Sequence, residues 1–130
     1  MKTPLLLRLL WFAAIVAIIP VLSAQTVVTN ETEFRAAITN VGVSEIELAN
    51  DIVVSNPGKV MIERSVTIRS EAPGLFTLTF QGTEPTIRNQ TTPISVIFEN
   101  IHVVAIDVDT DTPYGIRHMN GTLTLNNVTV

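Results

Sequence analysis

The sequence predicts an all-β solenoid, about five coils of short parallel strands stacked around a continuous apolar core and preceded by one short amphipathic helix. Three observations predict it. After Gly42 the chain consists of short alternating runs rich in Ile, Val, Leu and Thr: IELANDIVV, VMIERSVTI, LFTLTF, ISVIFENIHVV and LTLNNVTV, separated by Gly, Pro, Asn and Thr. An apolar pair recurs at Ile46/Leu48, Val60/Ile62, Leu78/Phe80, Val96/Phe98 and Leu123/Leu125, with first members 14, 18, 18 and 27 positions apart. In four of the five units a second apolar element begins five or six residues later, at Ile52, Val66, Ile101 and Val128, directly after Asp51, Ser65, Asn100 and Asn127.

Taken in order, the first element is a targeting segment. Residues 1–24 carry Lys2, an apolar core from Leu9 to Ile19, the helix breaker Pro20, and small residues at Ser23 and Ala24. This is the pattern of a secretory signal, with cleavage after Ser23 or Ala24. The competing reading is an uncleaved anchor, since the apolar stretch approaches the ~20 residues that span a bilayer. Arg8 interrupts that stretch, and V-L-S-A after Pro20 reads as a cleavage region.

Residues 25–130 then form one domain. Its first element is TNETEFRAAITN, with Asn30 as N-cap and Glu33 at the third helical position, a start resembling a capping box. Phe34, Ala37 and Ile38 share one face, and Asn40 and Gly42 end the helix. Each later unit is two short strands around a bend, and Asn and Asp tolerate the left-handed or bridge backbone that a tight bend requires. Stacking such units strand on equivalent strand gives a parallel solenoid. The 27-residue step would hold a loop inserted between Val104 and Asn120. An antiparallel sandwich also has many short strands, but its hairpins favour Asn-Gly or Asp-Gly between equal runs, and only Asn120-Gly121 fits that pattern.

Composition narrows the partners. Without Lys2 and Arg8 the domain has six basic and twelve acidic residues, a net charge of about −6, which argues against a nucleic-acid face. Cysteine is absent, so an exported domain of this size relies on backbone pairing and packing instead of disulfides.

Candidate chemistry centres on AIDVDTDTPYG. Asp107, Asp109 and Asp111 alternate, so on a strand they would face one side and could share a hard cation such as calcium. They do not make an EF-hand loop, because Thr112 and His118 occupy the positions that need Gly and Glu. A solvated acidic loop is the competing reading. Arg117 lies close by, with Arg64, Arg69 and Arg88 on other units, but the spacing forces none of them into one groove. His102 is expected to point outward and His118 to lie in the inserted loop, neither with a partner at ligand spacing. Asn30, Asn89, Asn120 and Asn127 each begin an Asn-x-Thr sequon, a match that Thr- and Asn-rich strands produce by composition. No catalytic constellation and no cofactor site are visible.

Taken together, VVTNETEFRAAITN, IELANDI, IERSVTIRS, LTF and LTLNNVTV resemble the start of the pectate-lyase-like adhesive domain of bacterial cell-surface proteins. The resemblance covers most of residues 27–130 and implies a right-handed parallel β-helix whose first helix plugs the open end of the coil stack. It implies a secreted or surface-displayed scaffold that adheres to a glycan or host surface. It also implies further coils downstream, since LTLNNVTV would otherwise leave an uncovered core. Two alternatives compete: a calcium-dependent polysaccharide lyase or hydrolase, and a purely structural spacer.

Overall fold

The computed structural model describes residues 24–55, 60–71, 74–82, 85–106 and 116–130. The elements, in chain order, are β1 (Ala24–Val28), α1 (Glu31–Thr39), β2 (Val43–Leu48), β3 (Ile52–Val54), β4 (Met61–Ile62), β5 (Val66–Ser70), β6 (Thr77–Gln81), β7 (Thr86–Arg88), β8 (Ile94–Ile106), β9 (Arg117–Met119) and β10 (Gly121–Thr129). Every strand pairing among them is parallel.

The pairings sort the strands onto three walls. The first wall stacks β1, β2, β5, the front half of β8 and the front half of β10. The second stacks β3, β6 and the rear half of β8, with the end of β10 on top. The third is a separate sheet, β4-β7-β9. The first two walls are one curled sheet because β8 and β10 run through the corner without a break. Asn100 (φ 49°) and Asn127 (φ 51°) turn the chain there, in a left-handed conformation that asparagine reaches at low cost. Their side chains stack, with Asn127 Nδ2 donating to Asn100 Oδ1 at 2.9 Å.

This register corrects the repeat predicted from the apolar pairs. Ile46 sits opposite Ile68, which sits opposite Phe98, which sits opposite Leu125. Coil steps along that column are therefore 22, 30 and 27 residues, not the 14, 18, 18 and 27 that separate successive apolar pairs. Val60 and Ile62 belong with the third wall, and Leu78 and Phe80 face Ile52 and Val54 on the second. The alternating pattern of an inward strand is the same on every wall, so the apolar pairs could be counted as successive coils when they are successive walls. Part of the interval expected to be an inserted loop is β9, which pairs with β7. Asn120-Gly121 is a corner between the third and first walls, since the strand it opens is parallel to β8.

All three walls feed one core. Ile46, Leu48, Ile68, Val96 and Phe98 from the first wall, Leu78 and Phe80 from the second, and Ile62 and Ile87 from the third are completely shielded from solvent. Each such side chain contributes about 1.5–3 kcal/mol by leaving water. The chain has no disulfide.

The helix packs against the same core. Its buried residues are Phe34, Ala37 and Ile38, as its spacing predicts, and the Phe34 ring meets Phe80 edge-on with centroids 6.4 Å apart. Asn30 Oδ1 accepts from Glu33 N–H at 3.0 Å, while Glu33 Oε2 accepts from Thr29 N–H at 2.7 Å and the Thr29 hydroxyl at 2.9 Å. The box thus closes one residue earlier than the usual form, on Thr29 instead of the N-cap itself. These bonds hold the Glu33 carboxyl below the ordinary value of 4.5, the Thr29 backbone bond being the main cause. A carboxyl depressed on folding stabilises the fold above its unfolded pKa, and that contribution is lost as pH falls through the folded value. Urea denaturation against pH should therefore show a step below pH 4.5 that Glu33→Gln removes, and an unchanged step would refute the assignment.

Candidate functional site

Outward-facing residues on the walls form columns along the stack, one residue per rung and about 4.8 Å apart. On the first wall Glu47, Arg69 and Glu99 make one such column. Arg69 approaches Glu47 Oε2 at 2.5 Å and Glu45 Oε1 at 2.6 Å, the second a charge contact without hydrogen-bond alignment. Arg69 is therefore held by its own wall.

Arg64 is also occupied. Its guanidinium donates to Ile38 O at 3.1 Å, Ala37 O at 2.8 Å, Ser65 O at 3.2 Å and Val43 O. Ala37 and Ile38 lie in the last turn of the helix, whose carbonyls have no partner within the helix. The expected end at Asn40 and Gly42 is accordingly not a left-handed cap. Asn40 has φ −79°, and its Oδ1 accepts from Gly42 N–H. Partial burial lowers the Arg64 pKa by desolvation. Ala37 O also accepts from Asn40 N–H at 3.3 Å, so Arg64→Met removes the partner of Ile38 O above all and should cost about 2 kcal/mol in chemical denaturation. Arg64→Lys, whose ammonium lacks the planar fork, should recover only part. Full stability in Arg64→Met would contradict this capping role.

The structure brings Arg88 and Arg117 together on adjacent rungs. The outward columns of the third wall are Met61–Thr86–Arg117 and, from the next outward position, Arg88–Met119. These five residues line an open groove of about 120 Å³. Strand alternation explains the placement: Ile62 and Ile87 point into the core, so their neighbours on both sides point out. Within the groove Arg88 Nε is shielded from solvent and makes no hydrogen bond. The groove thus sets guanidinium, hydroxyl and thioether side chains side by side on the solvent face of three rungs.

Other predicted residues fall elsewhere. Asp107, Asp109 and Asp111 lie outside the described residues. Among the described residues no group of three His, Asp or Glu could hold a metal ion. His102 is half-buried between the inward Ile101 and Val103, which places it on the outer face of the second wall. His118 stands in the register of Ile62 and Ile87 but is exposed. The four sequon asparagines are structural. Besides the Asn127–Asn100 pair, Asn30 caps the helix, Asn89 Nδ2 donates to Glu63 O at 2.7 Å, and Asn120 Nδ2 donates to Asn89 O at 2.9 Å.

Comparison with known proteins agrees with this architecture. No curated protein and no solved structure matches the chain. The family model of the pectate lyase-like adhesive domain does, over residues 25–130. That match spans the helix, all three walls and the groove, and by it the chain belongs to the pectate lyase-like adhesive domain family.

Proposed function

We propose that this chain is an exported right-handed β-helix module that attaches to a surface glycan or host surface and does not turn it over. Residues 1–24 act as the leader that carries it out of the cell. Right-handedness follows from the strong preference of parallel crossover connections for that hand. The observation that carries the adhesive reading is the third-wall groove, where polar and apolar side chains from three successive rungs face solvent together. The family's adhesive description supports it. A stack of rungs presents such a face as a straight strip, suited to a polymer lying along the axis.

Of the arginines that a lyase reading would recruit as proton acceptor, Arg64 and Arg69 are engaged by helix carbonyls and by carboxylates. The test is saturable binding of the labelled full chain to a glycan array and to whole cells, with product release assayed in parallel. Saturable binding without release of sugar is expected. Calcium-dependent release of unsaturated sugars would replace this reading with the lyase, and no saturable binding to any glycan or cell would leave a spacer.

A further inference from the structure

We propose that the free edge of β4 receives an extended peptide strand from a protein partner, one that carries an apolar residue and, two positions away, a basic one. This goes beyond the adhesive reading and does not depend on it. β4 is the first strand of the third wall, and among the described residues no strand pairs with it on the side facing the helix end of the stack. Its other side is used. Thr86 N–H donates to Val60 O at 2.9 Å, and Met61 and Ile62 stand opposite Thr86 and Ile87. Backbone groups alternate in direction along a strand, so the Met61 N–H and C=O point away from β7. An edge with such unpaired groups is a template for another strand. On the second wall the helix closes the corresponding end, where Ser55 N–H donates to Glu31 Oε1 at 3.0 Å and Ser55 O accepts from Arg35 at 2.7 Å.

The open edge borders a second groove, of about 250 Å³, lined by Ile38, Thr39, Val41, Met61, Glu63 and Arg64. Ile38 is buried, whereas Val41 is 89 % exposed, an apolar side chain that the fold leaves uncovered. The volume is below the roughly 300–1,000 Å³ of a small-molecule site and suits one apolar side chain. Glu63 is exposed and forms no ion pair among the described residues. Arg64 does not neutralise it, because its guanidinium is turned to the carbonyls of Ala37, Ile38, Val43 and Ser65. The groove is therefore apolar with one free carboxylate, and the domain's net charge of about −6 adds attraction for a basic partner. Met61 and Glu63 are two positions apart and share a face, so an added strand needs its apolar and basic residues at that spacing. In strand addition the main-chain bonds supply affinity and the pockets for alternate side chains supply specificity. A second copy of this chain fits worse, since pairing β4 with β4 would bring two Glu63 carboxylates into one interface.

The experiment is titration of the full chain with a fluorescent peptide, Thr-Lys-Thr-Leu-Thr-Lys-Thr, whose symmetry serves either strand direction. Saturable binding is expected, and hydrogen exchange at the Met61 amide should slow by about tenfold at saturation. Serine in place of leucine, or glutamate in place of both lysines, should weaken binding by about tenfold. Glu63→Lys should reverse the charge preference, losing the lysine peptide and gaining the glutamate one, with an unchanged melting transition. Peptide binding with unchanged exchange at Met61 would overturn strand addition. Equal affinity for the three peptides, or a charge preference that Glu63→Lys leaves as it was, would overturn the ligand class. No saturable binding of the lysine peptide would overturn the site. Sedimentation as a dimer that protects the Met61 amide without peptide would give the edge to a second copy and overturn the proposal in that way.

Discussion

Phe34→Ala is expected to destabilise the whole domain by about 3–5 kcal/mol, the usual cost of emptying a large buried aromatic site. Phe34 is completely shielded, and no other helix covers this end of the core among the described residues. Its ring lies edge-on to Phe80, which is itself completely buried on the second wall. Alanine would leave a cavity beside the Phe80 ring within the buried cluster. Water entering there would meet the inward column of the second wall. For a domain whose total stability is about 5–15 kcal/mol, this is a large share. Urea denaturation followed by far-ultraviolet circular dichroism should show one cooperative transition at a much lower midpoint. A loss below about 1 kcal/mol would mean that the helix packs on the stack without sealing it.

The helix was legible because its signals are local. Asn30, Glu33 and the Phe34/Ala37/Ile38 face all lie within nine positions, and each does in the structure what its spacing requires. Its C-terminal end was less legible, since Arg64 closes it from 26 residues away, a distance at which no sequence pattern operates. The strand runs were legible for the same local reason, as were the corner asparagines Asn100 and Asn127. Asp51 and Ser65 turn the chain differently, because neither has a positive φ. Asp51 instead accepts from Thr77 N–H and Ser65 from Ser95 N–H, bonds that link one coil to the next.

Register was beyond the sequence, and the candidate site depends on register. β4 has two residues, and β7 and β9 have three each, below the four or more at which strand alternation can be read. T-I-R and R-H-M carry no strand signal of their own; they are strands because the rungs beside them are. Arg88 and Arg117 stand 29 positions apart in the sequence and come to adjacent rungs only through the β7–β9 pairing. The acidic triplet at 107, 109 and 111 has a compact spacing that a sequence displays, whereas Arg88 and Arg117 have none.

Gly121→Ala is expected to release the β10 rung at a cost of about 3 kcal/mol, combining an unfavourable backbone with a direct clash. Gly121 opens β10 at φ 136°, outside the conformations that residues with a Cβ adopt readily. A Cβ built there would stand 2.1 Å from Ile94 O and 2.8 Å from Ile94 N, closer than atoms approach without one strand moving. The neighbour is backbone, so no side-chain rotation can relieve it. Gly121 pairs with Ile94 at the first position of the β10–β8 ladder, and displacement there disturbs the register of everything that follows. The loss should stay local, in contrast to Phe34→Ala, because each rung of a stack contacts only its neighbours. Hydrogen exchange at Leu123 and Leu125 should accelerate by about two orders of magnitude, while Ile46 and Ile68, on rungs closer to the helix, keep their protection. Unchanged exchange at Leu123 would mean that the corner accommodates a side chain, so that the glycine is not what sets the approach of β10 to β8.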